Sequence, residues 1–160
     1  MATRSTIALE FADGSVGQVY CHWDGYLAHN GDILMRHYQD PYKVRELIDL
    51  GSLSSLGPEI GEKHEFGNPH KYGSKEYHAW NEVNRKFCTF YARDRGEDLV
   101  SHTYKDFADY KENHQYEEYE YILRKDGRWY VSEYGASYVP LADVMAKDEE
   151  TAFYNRSWPA

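Results

Sequence analysis

The chain has 160 residues and a mass of 18.8 kDa, the size of one domain, and its 41% hydrophobic and 16% aromatic residues exclude a disordered protein. Its formal net charge of −9 opposes the phosphate backbone, so we expect no direct nucleic-acid binding and a preference for basic partners. The mean hydropathy of −0.83, the lack of any apolar run near the roughly 20 residues of a membrane span, and the lack of a signal-peptide pattern predict a soluble, cytoplasmic protein without membrane contact.

The first element in chain order is a β-hairpin. Residues 5–11 alternate between apolar and other side chains, Asp13-Gly14 is a frequent two-residue turn, and residues 16–23 form the returning strand. Closure by two loop residues predicts one face that points to the core. That face comprises Ile7, Leu9, Phe11, Val16 and Tyr20.

Two helices and an irregular segment follow the hairpin. Asn30 can cap a short helix, and Asp40, followed by proline, begins a second helix that stops at Gly51. The region at about residues 52–73 is rich in Gly, Ser and Pro, which predicts an irregular or inserted segment. A single turn of helix is expected at residues 54–56.

The remaining pattern predicts three more helices. We expect one over residues 74–86, one that opens at Thr103 as a variant of the capping box, and a terminal helix over residues 140–153. A short strand at residues 87–91 follows the first of them.

A second hairpin is the clearest element of the C-terminal half. Strands at residues 118–124 and 128–134 flank the turn pair Asp126-Gly127. Two-residue closure places Glu120 opposite Glu133. One face is then predicted to carry Tyr119, Tyr121, Leu123, Tyr130 and Tyr134.

These patterns predict a single α+β domain over residues 1–160. Its antiparallel sheet is built from the N-terminal and C-terminal hairpins and is covered by helices on one side. Cys21 and Cys88 each stand in an apolar context, so both are predicted to be buried, reduced core thiols.

A cluster of potential ligands follows the first hairpin. His22 and Asp24 lie two apart on a strand, and His29 can fold back over them, which supplies nitrogen and oxygen ligands suited to zinc or manganese. Together with Tyr26, the same residues can line a pocket for a small nucleotide-like ligand. The alternative is structural, with Asp24 and Asn30 hydrogen-bonded to loop amides.

Carboxylates and tyrosines interleave between residues 104 and 121. Eight acidic residues against two lysines occupy residues 97–121, and tyrosine offers a rigid contact area, a composition typical of a surface that binds a basic groove. The predicted partner-binding residues are Asp106, Asp109, Tyr110, Glu112, Tyr116, Glu117, Glu118, Tyr119 and Glu120. The alternatives are a solvated acidic face whose tyrosines pack into the core, and a homodimer formed through a tyrosine-rich edge strand.

The sequence contains no Walker loop, GxGxxG or GxSxG motif, so we assign no catalytic residue and expect no cofactor. Three segments, TRSTIA at 3–8, YCHWDGY at 20–26 and LGSLSSLG at 50–57, resemble a group of small uncharacterised proteins encoded by bacteriophages and prophages. The resemblance implies an accessory protein that binds host machinery, a class that includes inhibitors of CRISPR effectors and other defence systems. Together with the acidic region, it predicts a non-catalytic inhibitor of a host protein, for example one with a basic nucleic-acid-binding groove.

Overall fold

Eight strands form one mixed sheet in the computed structural model, which describes residues 2–147. The strands are β1 (Ser5–Glu10), β2 (Val16–Cys21), β3 (Leu53–Ser55), β4 (Thr89–Phe90), β5 (His102–Tyr104), β6 (Tyr119–Leu123), β7 (Trp129–Glu133) and β8 (Val139–Pro140). The helices are α1 (Asp32–His37), which a π-helical turn at Leu27–Gly31 precedes, α2 (Pro41–Asp49), α3 (Lys75–Asn84), α4 (Tyr91–Arg95), α5 (Phe107–Asn113) and α6, which covers residues 141–147. Within the described residues, no helix combines the length and the apolar character needed to cross a bilayer.

The two predicted hairpins form the centre of this sheet. The strand order is β4-β3-β2-β1-β6-β7-β8, and β5 also pairs with β2. Pairing is antiparallel within each hairpin, but β1 and β6 run parallel, because β6 begins at the end of the sheet where β2 finishes: Cys21 and Tyr119 both pair with Ser5. The α+β class is therefore confirmed, with a mixed sheet in place of the purely antiparallel one.

The tyrosine-rich second hairpin does not lie at an edge of the sheet. β6 is paired with β1 on one side and β7 on the other, and β7 is paired in turn with β8. β6 is therefore paired on both sides, and β8 covers the outer edge of β7 at Tyr130 and Val131, while the predicted homodimer stays a prediction.

Both hairpins close with the same three-residue loop. In the first, Gly14 N donates to Phe11 O (2.9 Å) and Ser15 N donates to Asp13 Oδ1 (2.9 Å). In the second, Gly127 N donates to the carbonyl of Arg124 (2.9 Å), and Asp126 Oδ1 likewise accepts from the amide two residues ahead (2.9 Å). Each loop ends on a glycine with positive φ, +93° and +79°, which permits a third loop residue where two were predicted.

An odd number of loop residues moves the pairing by one position and exchanges the faces of the returning strand. Ile7 therefore lies opposite Val19, and Val16 and Tyr20 leave the predicted core face. In the second hairpin Leu123 pairs with Trp129 instead of Tyr130, so the predicted face is also wrong there. Glu120 pairs with Ser132 and not with Glu133, which removes the predicted carboxylate pair.

The odd-numbered residues of the central strands form one face, here called the closed face. Its side chains form a single apolar cluster with those of α1, α2 and α6. From the strands the cluster takes Ile7, Leu9, Val19, Cys21, Tyr121, Leu123, Trp129 and Val131, and from the helices Leu34, Val44, Leu47, Ile48, Leu141 and Met145.

The even-numbered residues form the other face, here called the open face. Ala8, Val16 and Ile122 pack there against Tyr110 of α5 in a small second cluster. Helices therefore lie on both sides of the sheet, contrary to the prediction, although α5 covers only part of this side. The open face also carries the buried polar side chains Thr6, Gln18, Glu120 and Ser132.

Both cysteines are buried and free, as predicted. Burial raises the pKa of Cys21 to about 12, and it also raises the pKa of Cys88. The Cys88 sulfur accepts a hydrogen bond from Gly57 N (3.3 Å), which ties β4 to the segment after β3. Neither thiol has the lowered pKa of a nucleophile.

Capping residues read from the sequence predicted the start of some helices correctly and of others wrongly. Asp40 caps α2 by accepting from Tyr42 N (2.9 Å), and Ser74 caps α3 by accepting from Tyr77 N (3.1 Å). Asn30, in contrast, does not cap α1, because its buried side chain donates to Ser5 Oγ (3.1 Å).

Three further predictions are corrected or limited by the structure. The cap of α5 is Asp106, which accepts from Asp109 N (2.8 Å), and not Thr103, which lies in β5. Residues 54–56, expected as a turn of helix, fall largely in β3. The predicted terminal helix is present over residues 141–147, and its remainder lies outside the described residues.

Candidate ligand-binding site

A cavity of about 470 Å³ lies over β1 and β2 on the open face. This volume is in the range of about 300–1,000 Å³ that small-molecule sites occupy. Thr6 and Gln18 form its buried floor, Tyr20 and Tyr91 contribute half-buried rings, and further side chains surround its mouth. Those at the mouth include Arg4, Val100, His102, Gln115 and Glu117.

The cavity exists because two short strands share one edge of β2. β5 pairs with β2 from Val16 to Gln18, and β3 pairs with it at Cys21. In the described part of the chain, no strand covers this edge between those points, where Tyr20 N donates to Ser52 Oγ (3.3 Å). The two strands diverge there and leave room above the sheet.

Gln18 is the most informative residue of the floor. It is 1% exposed, and its Oε1 accepts a hydrogen bond from Tyr104 OH (2.9 Å). Its Nε2 is also buried and has no hydrogen-bond partner among residues 2–147. A buried donor left unpaired costs about 1–3 kcal/mol, so an acceptor supplied by a water molecule or a ligand would stabilise this amide.

A cluster of polar and charged side chains stands beside the mouth. Tyr20 OH lies 2.7 Å from His22 Nδ1, and partial burial raises the pKa of Tyr20. Partial burial also raises the pKa of Glu117, while the nearby Arg4 guanidinium acts in the opposite direction. His22, from the predicted ligand loop, and Glu117, from the predicted acidic surface, therefore belong to the surroundings of one cavity.

None of the residues of the predicted ligand loop lines this cavity, and His22 borders it only through its contact with Tyr20. Asp24 stands at positive φ (+58°), and its charge raises the pKa of the neighbouring Tyr26. His29 Nδ1 lies 2.8 Å from Asn30 Oδ1. Within residues 2–147, no three His, Cys, Asp or Glu side chains come together as a ligand set, so the predicted zinc or manganese site is not assembled there.

Two members of the predicted acidic surface are buried. Tyr110 is fully buried in the open-face cluster, and that burial raises its pKa. Glu120 is 1% exposed, with its Oε1 2.5 Å from His114 Nε2 and its Oε2 accepting from Tyr138 OH (3.3 Å). Both are inaccessible to a partner because α5 and the segment after it cover this part of the open face.

Other members of that surface have structural roles. Asp106 caps α5, and Asp109 accepts from Lys105 N (2.8 Å) and from Asn113 Nδ2 (2.7 Å), bonds that lower the pKa of Asp109. Tyr119 is half-buried against the rings of Tyr121 and Tyr134. Glu112 and Tyr116 are exposed, the latter by 60%, and Glu118 is half-buried.

Sequence reasoning missed most of the residues that form the cavity. Arg4, Gln18, Tyr91 and His102 come from four separate segments and match no motif. One usable signal was a glutamine between valines in β2, because a polar residue at a buried strand position implies a polar environment. Comparisons with models of protein families, with curated proteins and with solved structures found no match to this chain.

Proposed function

We propose that this protein captures a small ligand in the open-face cavity and acts by binding rather than by catalysis. The observation that carries the proposal is the buried, unpaired Nε2 of Gln18 on the floor of a cavity of about 470 Å³. A ligand that places a hydrogen-bond acceptor there removes the energetic cost of the unpaired donor, which favours the bound state.

The rest of the cavity supports the same function. Its walls combine half-buried tyrosine rings with the apolar side chain of Val100, and a few polar groups stand at the mouth. Small-molecule sites have this composition, in which apolar area contributes affinity and placed polar groups orient the ligand. We propose that the nucleotide-like ligand predicted for the loop at His22 binds instead in the neighbouring cavity, which His22 borders through its contact with Tyr20.

The test is recovery of the ligand from purified protein. The protein is equilibrated with cell extract, washed and denatured, and the released small molecules are identified by mass spectrometry. The Gln18→Leu variant removes the unpaired amide, and Gln39→Leu, at an exposed glutamine, is the matched control. We expect a molecule retained in near-stoichiometric amount by the wild type and by Gln39→Leu, but reduced at least tenfold in Gln18→Leu.

Two outcomes would contradict the proposal. If nothing is retained, water alone satisfies the Gln18 amide. If the same molecules are retained equally by Gln18→Leu, they bind elsewhere on the chain.

A second candidate function is the inhibition of a host protein through the acidic region, in keeping with the resemblance to phage-encoded accessory proteins. It is favoured by Glu112 in the last turn of α5 and Tyr116 after it, which are exposed, and by Glu118 before β6, which is half-buried. Carboxylates beside an exposed tyrosine can meet a basic groove and raise the association rate.

This second candidate is tested by charge reversal at two acidic residues of the surface that are not buried. The double variant Glu112→Lys with Glu118→Lys should lower the affinity for a salt-sensitive host partner at least tenfold in a binding assay. Glu76→Lys with Glu82→Lys, on the exposed side of α3, is the control of equal charge change. Equal loss in both double variants would mean that net charge, and not this surface, governs the interaction.

A further inference from the structure

We infer that the ligand of the open-face cavity is a flat ring that carries a phosphate, with the size and chemistry of a nucleoside monophosphate. The inference rests on the proposed function, because it names the class of ligand for the same cavity. Three parts of the cavity point to this class: the arginine at the mouth, the aromatic walls and the amide on the floor.

Arg4 places a permanent positive charge at the mouth of the cavity, although the whole chain has a formal net charge of −9. His102 at the mouth, and His22 next to it through Tyr20, add ring nitrogens that can form hydrogen bonds. An arginine guanidinium binds phosphate through paired, charge-assisted hydrogen bonds. Within the described residues, Arg4 has no carboxylate within 4.0 Å, so no ion pair has to break when an anion binds it, although its charge also acts on Tyr20 and Glu117.

Glu117 is the acidic side chain that lines the same cavity. Partial burial raises its pKa, while the nearby Arg4 guanidinium acts in the opposite direction. Arg4 is therefore the group at the mouth that would attract a phosphate.

The walls suit a planar ring. Tyr20 and Tyr91 stand on the same cavity, each half-buried, so part of each ring is shielded from water and part remains available. Nucleobases stack on aromatic side chains with little regard to their identity, because every base has a π face.

The floor adds a specific requirement. Tyr104 OH donates a hydrogen bond to Oε1 of Gln18, so the group of this amide that lacks a partner among the described residues is the Nε2 donor. The ligand must therefore present an acceptor, such as a ring nitrogen or carbonyl oxygen, on the edge that enters the cavity. Nucleobases carry such acceptors, whereas a simple phenyl ring does not.

The test is isothermal titration of the full chain with the four common nucleoside monophosphates, the corresponding nucleosides and inorganic phosphate. We expect at least one monophosphate to bind. The corresponding nucleoside should bind with at least tenfold lower affinity because it lacks the phosphate. Arg4→Gln should raise the dissociation constant of that monophosphate at least tenfold and leave the affinity for its nucleoside unchanged. Arg128→Gln, an exposed arginine in the second hairpin loop, should change neither.

Gln18→Leu separates the ring contact from the phosphate contact, since it should raise the dissociation constants of the monophosphate and of the nucleoside by the same factor. Equal binding of nucleoside and monophosphate, or an equal effect of Arg4→Gln and Arg128→Gln, would overturn the phosphate assignment. If no monophosphate binds while a different molecule is retained in a Gln18-dependent manner, the ligand class is wrong and ligand capture stands. If neither titration nor retention detects any ligand, both are wrong.

Discussion

The two faces of the sheet are built by the same strands and have opposite characters. The closed face is a continuous apolar cluster under three helices, while the open face buries Thr6, Gln18, Glu120 and Ser132 under little more than one short helix. An apolar face gains stability in proportion to the area it removes from water, whereas a polar face gains only where its groups are paired. The contrast therefore separates the part of the molecule that maintains the fold from the part that is available for binding.

The largest effect on stability is expected when a buried side chain of the closed-face cluster is truncated. Leu47→Ala removes a fully buried side chain of α2 and should lower the free energy of unfolding by about 3 kcal/mol, through lost transfer energy and a residual cavity. The measurement is urea unfolding followed by circular dichroism. Leu99→Ala, at a residue 55% exposed, is the matched control and should change the free energy by less than about 0.5 kcal/mol. Similar losses in both variants would refute the assignment of the core to the closed face.

A smaller loss is expected from the buried ion pair of the open face. Glu120→Leu removes the carboxylate that meets His114, and both side chains are 1% exposed. The cost should be about 2 kcal/mol in the same unfolding assay, below that of breaking a permanently charged pair, because His114 can release its proton. An increase in stability would mean that desolvation of the pair outweighs its attraction.

The same pair should make stability depend on pH. Burial alone lowers the pKa of His114, but its contact with Glu120 and the carbonyl of Tyr110 outweighs this effect, so the net pKa is raised above 6.5. The folded state therefore holds the proton more tightly than the unfolded state. The contribution is fully present below about pH 6.5 and is lost as the pH rises through the raised value. Unfolding free energies from about pH 6 to 9 should fall in the wild type and fall less in Glu120→Gln; equal slopes would contradict this account.

The smallest effect has the opposite sign. Gln18→Leu replaces an unpaired buried amide with an apolar side chain and should raise the free energy of unfolding of the ligand-free protein by about 1 kcal/mol or less. A gain in stability with a loss of ligand retention is the pattern of a residue kept for binding. Tyr104→Phe, which removes the donor to Oε1 of Gln18, is the companion variant and should not stabilise the protein. Destabilisation by Gln18→Leu would show that the amide is paired in solution.

The candidate cavity was only partly predictable from the sequence. Glu117 and His22 were singled out, but for different reasons and as members of different sites. Their neighbourhood is created by the gap between β5 and β3 along β2, and no local pattern encodes that gap. Tyr110 and Glu120 show the reverse error, because residues that suit a surface by composition are buried once α5 packs on the sheet.

The sequence by itself determined the local features: the positions of both hairpins, the caps at Asp40 and Ser74, the buried cysteines and the α+β class. These features depend on backbone chemistry within a few residues, such as a carboxylate that accepts from the first turn of a helix. Only the tertiary structure decided the strand register, the parallel pairing of β1 with β6 and the assembly of the cavity. The register depends on a single extra residue in each hairpin loop. The parallel pairing and the cavity depend on contacts between segments far apart in the chain, and a short stretch of sequence does not determine such contacts.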